Sequence, residues 1–92
     1  MAIDRFEDIE AWQVGRELTR KIYEAARVER FARDFGLRDQ VQRAAVSIMA
    51  NIAEGFDSQS NKAFIQFLGY ALRSATEVQS HLYVALDQGY VS

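Results

Sequence analysis

Few side chains in this chain are placed to do chemistry. His81 is the single histidine, and Glu77 stands four residues before it, one helical turn away. A carboxylate beside an imidazole could begin a general-base pair or a metal site. Nothing extends it: the sequence has no cysteine, no H-E-x-x-H, no G-x-S-x-G and no phosphate-cradling glycine loop. A structural or surface histidine is the simpler reading, and no catalytic residue, metal or cofactor is expected. Asn51 and Glu54 form a second polar group, toward an end that should also hold Trp12 and Phe64. They suit a ligand or partner site, or hydrogen bonds to neighbouring helix ends, with Glu54 reaching the next helix or Lys62. The second reading is preferred. Arg43, Arg73 and Glu77 make a third group, in which an ion pair between helices is expected.

Residues 16–43 carry eight bases and five acids, against a formal net charge of −2 for all 92 residues. Arg16, Arg20, Lys21, Arg27 and Arg30 are therefore the candidates for contacting a nucleic-acid backbone. A solvated helix face explains the same run more simply. The aromatic residues could stack bases, but Trp12, Phe64 and Phe67 fall on apolar stripes, which marks them as core. Tyr23, Tyr70, Tyr83 and Tyr90 are left to rim an interface. Residues 1–10 are acidic and mixed, unlike a secretory or transit segment. No apolar run reaches the ~18–20 residues that a bilayer requires. The cytoplasm is the expected compartment, with no membrane partner.

The elements that must position these residues are helices. The chain contains no proline, which suits long uninterrupted segments. The spacing predicts a single all-α domain over 1–92, an up-down antiparallel bundle with helices at about 6–28, 37–56 and 61–88. Asp4 and Glu7 have the spacing of a capping box for the first. Glu17–Lys21 and Arg20–Glu24 are i,i+4 ion pairs on its outer face. Phe31 to Gly36 form a connection too apolar to hang free, so Phe31 or Phe35 should plug the bundle end. Gly55 is read as the stop of the second helix, and Ser60 or Ser58 as the cap of the third. In the third, Phe64, Leu68, Ala71, Ala75, Val78, Leu82 and Ala85 make a 4-3 apolar seam, and Gly89 ends it. Counting outward from the turns places Arg43 level with Leu72–Ala75, with Leu37 and Gln79 approaching the other end.

The run Val46-Ser47-Ile48-Met49-Ala50-Asn51-Ile52-Ala53-Glu54-Gly55 resembles the signature of a bacterial family of four-helix bundles first noted in intervening sequences of 23S ribosomal RNA genes. Phe6 to Gln13, Phe35-Gly36-Leu37, Gln42 to Ala45, Lys62 to Leu68, Ser74 to Val78 and Gly89-Tyr90-Val91 resemble that family along nearly the whole chain. The family commonly has proline where Met49 stands, and it continues beyond Tyr90 into a fourth helix. The resemblance implies a non-enzymatic protein whose partner is itself, with ring-like pentamers among its relatives. The accessory variability determinant of diversity-generating retroelements is similar. It is a basic pentamer that works with a reverse transcriptase and RNA, a role that rests on a strongly basic surface and that a net charge of −2 does not carry over. The alternative partner, RNA or an RNA-handling protein, rests on the basic stretch from Arg16 to Arg43. Three helices of an expected four leave an apolar groove between the first and third. Self-association should cover it, or a fourth helix encoded beyond Ser92.

Overall fold

A computed structural model describes residues 3–92. Three long helices and one short one form an elongated bundle with no strand among the described residues. A 3-10 turn at Phe6–Asp8 leads into α1 (Glu10–Ala25). The Asp4–Glu7 capping box is not formed. Ile9, extended at φ −75°, begins α1 without a side-chain cap. Apolar contacts fix this start instead: Ile9 packs on the core, and Phe6 meets Trp12 edge-to-face at 5.2 Å. Gln13 donates back to the Glu7 carbonyl at 2.9 Å, satisfying a backbone group left by the turn.

The first helix ends at Ala25, short of the expected 28, and the stretch expected to be a plain connection holds a separate one-turn helix, α2 (Glu29–Arg33). The reason is Phe31, which is fully buried while Phe35 stays exposed. Burying that ring turns the chain inward, and a Glu29–Arg33 ion pair braces the short helix from outside. The plug is therefore Phe31. The next helix, α3 (Phe35–Asp57), starts two residues earlier than the spacing predicts, because Asp34 caps it by accepting from the Leu37 amide.

Gly55 does not stop α3. It lies buried inside it, where an added Cβ would stand 2.7 Å from Phe67 Cβ. Its role is close approach between helices. The left-handed residue after the helix is Gln59, at φ 56°, and the Ser58 hydroxyl donates to the Gly55 carbonyl. α3 runs through Met49 without interruption, and Met49 packs where Gly15 lets α1 come close. α4 (Asn61–Asp87) is capped by Ser60, whose hydroxyl accepts from the Ala63 amide. It ends in a Schellman motif at Gly89, φ 76°, with Gly89 N–H on the Leu86 carbonyl and Tyr90 N–H on that of Ala85.

α3 is the spine. Val41, Ala44, Ala45, Ile48 and Ile52 are buried, and α1 and α4 both pack on it, antiparallel to it. Small residues on the spine allow close packing on both sides. α1 and α4 thus run parallel to each other, and they do not pack closely together. The heights differ from the sequence count by about a turn. Ser47, not Arg43, stands opposite Ser74, their hydroxyls 3.0 Å apart. Asp34 reaches Tyr90 beyond the end of α4, so Leu37 lies nearer that end than Gln79 does.

Candidate functional site

The seam of α4 is buried only in part. Ala71, Val78 and Ala85 face α3, but Leu68 is 39% exposed and does not belong to the core. A second apolar stripe beside the first carries Leu72 and Tyr83, each 69% exposed, and Leu86. On α1 the matching side is Ala11, Val14, Leu18 and Ala25. Between these walls runs an apolar groove made of two depressions that share Leu18. One is floored by Ile48 and Ile52 of the spine, the other by Ile22. Glu10 borders one half and Lys21 the other. The groove lies where the spacing of apolar residues placed it, between the first and last long helices.

At its far end a polar and aromatic latch joins the segments that follow the two walls. Tyr90 stacks on Phe31, ring centroids 5.1 Å apart, and its hydroxyl donates to Asp34 at 3.0 Å. The Arg30 guanidinium lies over the Tyr90 ring, 5.5 Å from its centroid. The hydrogen bond to Asp34, then desolvation and the nearby carboxylate charge, hold the Tyr90 phenol above its ordinary pKa, against a smaller opposing effect of Arg30. Asp34 therefore does two things at once, capping α3 and holding Tyr90. This latch was not foreseen: a turn aspartate and a tyrosine after a glycine stop are visible in the sequence, but not their meeting across 56 residues.

The other expected groups are arranged differently. Asn51 donates to the Ser47 carbonyl and hydroxyl of its own helix, and does not serve a neighbouring helix end. Glu54 is exposed and makes no ion pair with Lys62 among the described residues. The Arg43–Arg73–Glu77 ion pair is absent, since Arg43 and Arg73 point to solvent and Glu77 pairs with His81 at 3.2 Å. A shift of about one turn in relative height, ~5 Å, also moves Arg43 off the level of Arg73. Phe64 meets Phe56 edge-to-face beside Gly55, and Trp12 sits near Met49 under Arg16.

The basic stretch is divided by its neighbours. Arg20 is held by Glu17 and, at 2.7 Å, by Glu24, so the expected Glu17–Lys21 pair gives way to Arg20. The hydrogen bond from Arg20 draws the Glu17 carboxyl below its usual range, and Glu17 in turn raises Arg20. Arg30 stacks on Tyr90 and Arg16 on Trp12, while Lys21 borders the groove and Arg27 is exposed. No helix is long and apolar enough to cross a membrane, and no group of three metal-ligating side chains occurs, among the described residues.

No curated protein and no solved structure matches the chain. The family model described as 23S rRNA-intervening sequence protein matches residues 7–92. With the helical bundle and the match extending over all but the first six residues, the chain belongs to the 23S rRNA-intervening sequence protein family.

Proposed function

We propose that this chain is a non-enzymatic, cytoplasmic interaction module that associates with itself through the groove between α1 and α4. The observation that carries this reading is the unpartnered apolar surface. Leu68, Leu72, Tyr83 and Leu86 on one wall and Val14 on the other are exposed together, not scattered singly. Contiguous apolar patches of this kind beyond a few hundred Å² mark association sites on soluble proteins. The resemblance to ring-forming relatives points the same way. A second reading is an RNA-associated role for the stretch from Arg16 to Arg43. It rests on Arg16, Lys21, Arg27 and Arg43, for which no carboxylate partner occurs among the described residues. Of these, Lys21 borders the groove itself.

Light scattering coupled to size exclusion at micromolar concentration tests the first reading. The expected result is a mass above one chain that falls when Leu72 is replaced by Gln. A monomer that melts cooperatively and binds no dye for apolar surface would refute it. The RNA reading is separated by salt, because phosphate contacts weaken steeply as salt rises, whereas apolar association does not.

A further inference from the structure

Of the two methionines in the sequence, one is the first residue and the other, Met49, lies in the middle of α3. It stands where Gly15 brings α1 close to the spine. A Cβ added to Gly15 would lie 3.3 Å from Met49 Cγ, so the side chain is seated tightly against the α1 backbone. The thioether is nevertheless not sealed in. Met49 is half-buried, and with Trp12, Arg16, Thr19 and Arg20 it lines a polar depression open to solvent. This depression shares no residue with the apolar groove. The Thr19 hydroxyl lies 3.4 Å from Met49 Sδ, but it has one hydrogen to give, and its shorter contact, 2.8 Å, is to the Gly15 carbonyl. A thioether sulfur has two lone pairs, so at least one is left for an oxidant.

We propose that Met49 is a modification site for small hydroperoxides, and that its oxidation loosens α1 from the spine. The Met49 sulfur attacks one peroxide oxygen. The O–O bond breaks as an S–O bond forms, and the proton on the transferred oxygen passes to the departing one. Sulfur loses two electrons, and the peroxide is reduced to water or an alcohol. The product is methionine sulfoxide, which methionine sulfoxide reductases return to the thioether. The added oxygen turns a flexible apolar side chain into a polar one. Two donors along the same depression are placed to receive it. One is the Thr19 hydroxyl. The other is the Arg16 guanidinium, which rests 5.9 Å from the Trp12 ring centroid and has no carboxylate partner among the described residues. Drawn toward them, the side chain withdraws from Gly15, where the packing is already tight. The joint that suffers is the one that matters to this helix, since α1 is attached to the bundle chiefly through α3.

Hydrogen peroxide at rising concentration, with free methionine in the same solution as a reference, tests this on the whole chain. The chain has no cysteine to compete for the oxidant. The Met49 peptide should gain one oxygen by mass spectrometry while circular dichroism still reports a folded chain. The melting midpoint should then fall by roughly 4 °C or more, and the emission of Trp12, the single tryptophan, should change. Methionine sulfoxide reductases should reverse all three changes. Met49→Leu, which keeps the volume, should melt near wild type and not respond to peroxide. Met49→Gln, polar at a similar length, should melt below Met49→Leu with no peroxide added. Met49 left unmodified in the folded chain once the free methionine is fully oxidised overturns the inference. So does an oxidised chain with an unchanged midpoint, or an equal fall in Met49→Leu, which would place the damage at another residue.

Discussion

Phe31→Ala is the perturbation that asks most of this structure. The ring is fully buried under the end of the bundle and stacked on Tyr90. Removing a buried phenylalanine costs about 3–5 kcal/mol from lost transfer energy and the cavity left behind. A chain of this size has roughly 5–14 kcal/mol of stability in total, so about a fifth or more would be lost. At ~4–8 °C per kcal/mol the melting temperature should fall by at least about 12 °C. Urea and thermal unfolding followed by circular dichroism, at one fixed protein concentration, measure the change. A double-mutant cycle isolates the stacking, with Phe31→Leu and Tyr90→Leu made singly and together. The coupling should be about 0.5–1.5 kcal/mol. A loss under ~1 kcal/mol for Phe31→Ala, or no measurable coupling, would show that Phe31 is not the plug.

Ile48→Ala should cost about 2–5 kcal/mol, and Leu68→Ala much less in dilute monomer while reducing the mass seen by light scattering; equal losses at both would remove the distinction between spine and groove wall. The Tyr90 phenol is held above its unfolded value of ~10, so its contribution is fully present below pH ~10 and is lost as pH rises through the folded value. Melts taken from pH 8 to 11.5 should therefore fall more steeply for wild type than for Tyr90→Phe, and parallel curves would contradict the latch. Gly55→Ala gains ~1 kcal/mol of helix propensity but adds a Cβ 2.7 Å from Phe67 Cβ, whereas Gly69→Ala meets nothing. Unfolding free energies should thus separate the two by about 1–3 kcal/mol, with Gly69→Ala the more stable.

The elements that local chemistry decides were legible. Ser60 before an apolar run and Gly89 after it bracket α4 to within a residue, because a cap and a left-handed stop act on their immediate neighbours. Phe31 was legible as one of two plugs for a similar reason, since a connection that apolar must bury something. Gly55 misled because a glycine near a helix end has two uses. Only the position of Phe64 and Phe67, on another helix, reveals that close approach is the one in play. The polar groups fared worst. Asn51, Glu54, Arg43 and Arg73 have partners that depend on the relative height of two helices, and counting from the turns cannot fix that height to less than a turn. The groove was visible because it follows from a sum over a whole helix: α4 has more apolar circumference than α3 can cover.

That groove is held open by a contact outside it. Its two walls do not pack closely on each other, and each is attached to the spine alone over most of its length. They are joined beyond their ends, where α1 leads through Val28 into α2 and its Phe31, and α4 leads through Gly89 to Tyr90. The Phe31–Tyr90 stack, with Asp34 holding the Tyr90 hydroxyl, thus ties wall to wall. Val91, next along the chain, is half-buried and lines the groove itself. The spacing of the walls at this end is then set by the latch, and whatever helix occupies the groove meets a width fixed in advance. Substitutions at Phe31 or Tyr90 touch no residue of the exposed stripe. They should nevertheless weaken association at the groove, read by light scattering, more than an equally destabilising change at Val78, which is buried, lines neither depression and leaves the tie intact.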